Sequence, residues 1–401
     1  MLKKIIAMLM FVLAVAVGAA ETKPQGFSAH IIPTKAVNIK DQFVGILPGR
    51  PPFIPRTVKA VCGEPFSVQI VFSGAEAKNG SVSLTGKISF TAPNGKKTVI
   101  PMQKFTMKPK GDMRGVFLLP QNLQVSFDPP DPKGNYTFEL ALTDCNAEKT
   151  ATASASVEYV ESIPVSPKFE NLDKLFDNYY RTPCPQNIVS AFQSYLKRIP
   201  AQKQKEKQNF NPLPQLAFFC FVLKDNPQCV PAFAELFKKL HNEEKFLAAV
   251  VLNFASGPSA KTLDPNQRKA IGKQFPADPF AVGKVAVPWQ LDVCWAEFLV
   301  RGTKAPVMKV VNALTLAKDS ISIADYKKLP KPTREDRRKL MNGLTAMAAQ
   351  WSLNSLSKTH PLIRYYVEAA LVRGEVKDPV AGALAAKAVG IPVKLGNGKK
   401  P

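Results

Sequence analysis

The spacing of apolar positions changes once along this chain. From about residue 57 to 160 apolar and polar residues alternate in short runs, EPFSVQIVF, SVSLTGKISF, KKTVIPMQKF, YTFELALT and TATASASVEYV. A period of two puts alternate side chains on opposite faces of a strand. Turn residues such as those in AKNGS and APNGKK separate the runs, and no helical stretch intervenes, which predicts an antiparallel β-sandwich over residues 57–162. From about residue 165 the period becomes helical. NLDKLFDNYY, QNIVSAFQSYL, LPQLAFFCFVL, VPAFAELFKKL, EEKFLAAVVLNFA, PWQLDVCWAEFLV, APVMKVVNALTLA, REDRRKLMNGLTAMAAQWSL and PLIRYYVEAAL carry apolar residues at i, i+3 or i+4, and i+7. Pro185, Pro231, Pro288, Pro306 and Pro361 stand where a first helical turn begins, and Thr333 with Asp336 has the spacing of a capping box. An all-α helical bundle or short α-solenoid over residues 163–390 is expected, because short helices on short loops pack as antiparallel neighbours. The predicted fold class is therefore multidomain, β followed by α.

Two stretches of the helical half decide how chemistry is sought. In PWQLDVCWAEFLVRG (288–302) Leu291, Cys294, Trp295, Phe298 and Leu299 fall on one broad face, while Asp292 and Glu297 are about 140° apart around the helix. Carboxylates so placed cannot share a proton, and the stretch reads as a core helix running from Pro288 to a Gly302 stop. In the same way Leu344, Met347, Trp351 and Ser355 line up as a core face, with Ser352, Asn354 and Ser357 beside it. By contrast KRIPAQKQKEKQNFNPLP (197–214) is rich in Lys and Gln and nearly free of apolar residues, so it is expected as a solvated loop.

In DPPDPKGNYTFELALTD a turn with Asp131, Gly134 and Tyr136 runs straight into an alternating strand. It resembles the Asp-x-Gly-x-Tyr corner of immunoglobulin-like sandwiches, in which the tyrosine hydroxyl ties the strand to the preceding turn. There is one more residue here between Asp131 and Gly134, and Phe138 stands where antibody domains place a cysteine. The predicted sandwich is thus Ig-like without an inter-sheet bridge.

Residues 1–20, MLKKIIAMLMFVLAVAVGAA, have a positive start, an apolar core and a small-residue end near Ala20, the layout of a cleaved signal peptide. They predict export to the periplasm or the extracellular space, with no transmembrane span after signal removal. Residues 21–56 are Pro-rich and expected as an extended arm or an added edge segment, and residues 391–401 as a flexible basic tail.

The 401 residues carry 54 Lys and Arg against 31 Asp and Glu. Most of the excess lies in residues 165–401, with 36 basic and 19 acidic side chains, or +17, against +4 in residues 21–164. For an exported protein the polyanions within reach are membrane surfaces, envelope polysaccharides and acidic proteins, and nucleic acid is not among the expected partners. Candidate contacts for an anionic envelope component are Lys197, Arg198, Lys203, Lys205 and Lys207, with Arg334, Arg337 and Arg338. All are equally compatible with an ordinary solvated surface.

Catalytic signatures are sparse. Three histidines, His30, His241 and His360, form no metal-binding spacing. Nucleophile-elbow, phosphate-loop and CxxC motifs are absent, and no cofactor is expected. Cys220 and Cys294 sit in apolar helical runs, whereas Cys184 and Cys229 lie at helix boundaries, where they could pair as a disulfide. The expected function is a non-catalytic binding or structural protein of the bacterial envelope. The alternative is an envelope hydrolase whose two carboxylates meet only in the folded helical domain, an arrangement that needs no sequence motif.

The sequence also resembles exported bacterial proteins, with no assigned activity, that join an Ig-like domain to an α-helical domain. The resemblance rests on DPKGNY, WQLDVCWAEFLVRG and AAQWSLNSLSKTHPLI and spans most of residues 57–371. It implies bacterial export and this order of domains, and it transfers no functional residue.

Overall fold

The computed structural model describes residues 26–44, 52, 54–108, 115–162, 171–206, 211–256 and 262–392. The signal-like segment 1–20, most of the linker at 161–169, and the tail from 393 lie outside the described residues.

The N-terminal half is built of β1 (Ser28–Thr34), β2 (Lys59–Ala60), β3 (Phe66–Ser73), β4 (Val82–Thr91), β5 (Lys97–Met107), β6 (Phe117–Leu118), β7 (Leu123–Val125), β8 (Gly134–Asp144) and β9 (Lys149–Tyr159). One sheet has the order β1-β3-β6, with β7 also paired to β3; the other runs β2-β9-β8-β4-β5. The ladders are antiparallel except for β2 beside β9. Alternation does what it predicts on β8, where Tyr136, Phe138, Leu140 and Leu142 are buried. They meet Phe66, Val68, Ile70 and Phe72 of β3 in a shared core, and the Phe66 and Phe138 rings touch edge-on at 6.1 Å. Each such side chain stabilises the fold by about 1.5–3 kcal/mol relative to exposure. Gly86 lets β4 and β8 approach, since a Cβ there would lie 2.3 Å from the Ala141 carbonyl oxygen. At the entry to β8 the Tyr136 hydroxyl donates to the Pro132 carbonyl at 3.0 Å.

Part of segment 21–56 is more structured than an extended arm. Residues 28–34 form an edge strand whose ladder with β3 runs from Ser28 opposite Ser73 to Thr34 opposite Ser67. Pro33 is tolerated there because an edge strand has an unpaired side. The chain then enters a short helix, α1 (Ile39–Val44), which sits against the helical half. Asn38 Nδ2 donates to the Gly302 carbonyl (3.1 Å), Asp41 Oδ2 accepts from the Lys304 amide (2.8 Å), and the Gln42 carbonyl accepts from the Tyr365 hydroxyl (3.0 Å).

The C-terminal half is helical: α2 (Leu172–Asn178), α3 (Ile188–Glu206), α4 (Leu213–Asp225), α5 (Val230–Lys239), α6 (Asn242–Ser256), α7 (Pro265–Gln274), α8 (Pro288–Arg301), α9 (Lys304–Ala313), α10 (Ile323–Lys327), α11 (Arg334–Thr359), α12 (Pro361–Val372) and α13 (Pro379–Val389). Its centre is α4, where every residue from Leu216 to Leu223 is buried, against α6 and α8. The Thr333–Asp336 capping box forms in both directions. No helix among the described residues is long and apolar enough to cross a membrane.

Two sequence expectations need correction. The Lys- and Gln-rich stretch after residue 197 is not a loop as far as Glu206: α3 continues through it, past Pro200. Ala, Gln, Lys and Glu are strong helix formers, and a helix that leaves the core needs no apolar stripe. Trp351 is not a core residue either, being 73% exposed, and Met347 beside it is 63% exposed. The face of α11 turned inward instead carries small side chains, Thr345, Ala346, Ala349 and Ser352, with Leu353.

Candidate functional site

α8 begins at Pro288 and stops at Gly302, whose φ of 62° is the left-handed value that favours glycine. Leu291, Cys294, Trp295 and Phe298 are buried as their spacing predicts, together with Val293, Ala296 and Val300. Burial pushes the Cys294 thiol up to about 12, so it is protonated and inert at neutral pH. Asp292 reaches the surface on the far side of the helix, where desolvation by surrounding protein still raises its carboxyl above the ordinary range. Glu297 is held by Arg301 Nη1 at 2.8 Å and Lys309 Nζ at 3.3 Å. The stretch is a core helix with an ion-paired end.

That end opens onto a cleft of about 430 Å³ between the outer face of the β1-β3 sheet and the helical half. Gln69, Gln124 and Lys40 line one wall, with Tyr180, Asp225 and Arg301 opposite. Arg301 grips Asp225 with both arms of its fork, Nε to Oδ2 and Nη2 to Oδ1, each at 2.8 Å. Its guanidinium also lies 5.0 Å from the Phe221 ring centroid. Both Asp225 oxygens are thus engaged, and Asp225 is the only acid lining this cleft among the described residues. A two-carboxylate hydrolase needs a second acid across from the first. The arrangement offers hydrogen-bonding amides and a fixed ion pair.

Below the cleft, His360 is 2% exposed between the rings of Tyr180 and Phe298, each 5.8 Å away. Arg181 Nε donates to the Tyr180 hydroxyl (3.0 Å), and that hydroxyl shares a second hydrogen bond with His360 Nδ1 at 3.3 Å. Burial, then the Arg181 charge, lowers His360 to about 4. It is a neutral ring at the junction of α11 and α12, hydrogen-bonded to Tyr180 just past the end of α2.

The candidate basic residues fall into two separate groups. Lys197, Arg198 and Lys203 lie on α3; Arg198 pairs with Asp173 at 3.0 Å and Lys203 with Glu243. Lys205 belongs to α3, but its side chain lies outside the described residues, as does all of Lys207. Arg334, Arg337 and Arg338 are exposed on the first turns of α11, and Arg338 is claimed by Glu335 and Asp319. Lys197, Arg334 and Arg337 make no ion pair with the described residues. Cys184 and Cys229 are both thiols, on neighbouring turns, with Cys229 Sγ 3.5 Å from the carbonyl of Pro185. No group of three or more His, Cys, Asp or Glu able to hold a metal ion occurs among the described residues.

Sequence reading missed the cleft, because its walls come from six short segments spread between residues 34 and 301. It also missed the exposed side of α11, although Leu340, Leu344, Met347 and Trp351 are visible at helical spacing.

No family model matches the chain, and no curated protein matches it. Among solved structures, a family 123 glycoside hydrolase from Clostridium perfringens, described in terms of glycolipid glycan hydrolysis, is similar at 12% identity. The match covers 46% of this chain and 36% of that one, so this chain spans about a third of that enzyme, with a TM-score of 0.24. A superposition that loose defines no shared fold and carries no activity across.

Proposed function

We propose that this is an exported, non-catalytic binding protein of the bacterial envelope whose basic helical half contacts an anionic partner. The observation that carries the reading is the +17 of residues 165–401, with Lys197, Arg334 and Arg337 exposed and without ion pairs among the described residues. Unpaired surface cations create a field that draws polyanions from beyond contact range. The β half is proposed as an immunoglobulin-like spacer, supported by its two sheets around one core and by the Tyr136-to-Pro132 bond at its corner. Export is proposed from the charge and apolar layout of residues 1–20.

A soluble polyanion such as dextran sulfate tests the electrostatic reading. Affinity should fall more than about tenfold when ionic strength rises from about 0.05 to 0.3 M, because the Debye length contracts well below 10 Å. Arg334→Gln with Arg337→Gln should weaken binding at low salt and flatten that dependence. Affinity indifferent to salt would remove the basis for the proposal.

A further inference from the structure

α11 has two apolar sides. Its small-residue side packs on α8, α9, α12 and α13. On the opposite side Leu340, Leu344, Met347 and Trp351 follow one another at steps of four, three and four, within a band about 60° wide and about 16 Å long. Leu340 and Leu344 are partly exposed, and Met347 and Trp351 are largely exposed. A neighbouring segment lies beside the band. A Cβ on Gly343 would lie 3.0 Å from the Ile321 carbonyl oxygen, so the chain entering α10 runs alongside α11, and Ile323 follows at 45% exposure.

Around this patch the charge is positive. Residues 325–339, DYKKLPKPTREDRRK, carry seven basic and three acidic side chains. Lys327, Lys331, Arg334 and Arg337 are exposed and make no ion pair with the described residues. Lys358, also exposed, closes the other end of the stripe.

We propose that the outward face of α10 and α11 is a docking site for an anionic lipid surface. The proposal rests on the anionic-partner reading above and names that partner. A soluble polyanion would satisfy the cations and leave a tryptophan, a methionine and an isoleucine in water. A second copy of this chain would cover the apolar stripe but set two strongly basic halves against each other, which like-charge repulsion opposes. A bilayer interface accommodates both components. Trp351, with its apolar rings and indole N–H, suits the headgroup level, and Met347 and Ile323 enter the acyl boundary. The long stems of Arg337 and Lys358 allow their charges to reach lipid phosphates while the apolar side chains sink. Few side chains insert, so the apolar contact is weak alone and works with the basic rim, the two-signal arrangement of peripheral proteins.

The test uses the full chain with vesicles of equal parts phosphatidylglycerol and phosphatidylcholine, against phosphatidylcholine alone, reading co-sedimentation and tryptophan emission. Binding to the anionic vesicles with a blue shift that disappears in Trp351→Phe is the expected result. Met347→Ser with Trp351→Ser should weaken vesicle binding about tenfold with an unchanged melting temperature, since both residues are exposed. Arg334→Gln with Arg337→Gln should weaken it about 25-fold at low salt, at about fivefold per charge. The apolar segment 1–20 is common to all variants, so the differences report on this face. Vesicle binding with unchanged emission and no loss in the Met347–Trp351 double variant would place the contact elsewhere and overturn the proposal. Salt-sensitive binding to dextran sulfate without binding to anionic vesicles would overturn it too, while leaving the broader reading intact. Binding to neither would overturn both. A dimer in sedimentation equilibrium that the double variant abolishes would assign the face to a second copy instead.

Discussion

His360 shows how much one buried side chain can link. Its ring is hydrogen-bonded to the Tyr180 hydroxyl, which also receives a hydrogen bond from Arg181, and Arg181 Nη2 donates to the Thr359 carbonyl at 2.8 Å. An imidazole lowered to about 4 in the folded chain binds fewer protons than the unfolded chain does between that value and about 6.5. Unfolding therefore takes up a proton in this window, and stability rises with pH across it. The contribution is fully present above about pH 6.5 and is lost as pH falls towards 4, to a total of about 3 kcal/mol. Denaturant titrations at pH 7.5 and 4.5 should show that loss on top of the carboxylate contribution. In His360→Gln, whose amide can still hydrogen-bond to Tyr180 in either direction but does not titrate, the difference between the two pH values should shrink by about the same amount. A variant with the same pH dependence as the wild type would show that His360 is not the group responsible.

At the scale of elements, helices with a marked terminus were readable. α8 has Pro288 at its start and Gly302 at its stop, α11 has the Thr333–Asp336 box at its start, and the structure uses all four residues. What periodicity could not supply was direction. Both sides of α11 are apolar, and size misleads: Trp351 and Met347 suggest the core, yet Ala346, Ala349 and Ser352 allow neighbouring helices to come close. The extension of α3 was hidden for the opposite reason, since its last turns bury little and depend on backbone propensity. The capping box of α11 gives an element-scale prediction. Thr333→Ala removes the acceptor for the Asp336 amide and the partner of the Asp336 carboxylate. It should cost about 1 kcal/mol, within a usual range of about 0.5–2 for a lost cap, and fray the turn that displays Arg334 and Arg337. Hydrogen exchange at residues 334–338 should then accelerate while α8 amides keep their protection. Equal acceleration in both helices would mean that the box supports the whole half rather than its own turn.

At the scale of the molecule, the two halves are tied by the segment expected as an extended arm or an added edge segment, and its first part is that edge segment. β1 belongs to the sheet of the first half, and α1, five residues later, packs against β6 of that half while its residues hydrogen-bond to the second. The Gly302 carbonyl is the meeting point, accepting from Asn38 Nδ2 and from the Tyr366 hydroxyl at 2.7 Å. A Cβ at Gly302 would stand 2.7 Å from both Asn38 and the Tyr180 ring, so the end of α8 serves at once as helix stop and docking surface. No local pattern announces this, because Asn38 and Gly302 are 264 residues apart. The cleft lies alongside the same junction, with Lys40 from α1 and Arg301 from α8 on its walls. If residues 38–42 couple the halves, Asn38→Ala with Asp41→Ala should remove the two bonds from these side chains to the helical half, one of them to a carboxylate, and with them the buried bond from Gln42 Nε2 to Asn38 Oδ1. The expected cost is about 2–4 kcal/mol, felt at the junction rather than within either core. Calorimetry should then show one transition for the wild type and two for the variant, with the sheets and the helices melting at separate temperatures. A single transition merely shifted downward would show instead that the remaining contacts, Tyr365 to Gln42 among them, hold the halves as one cooperative unit.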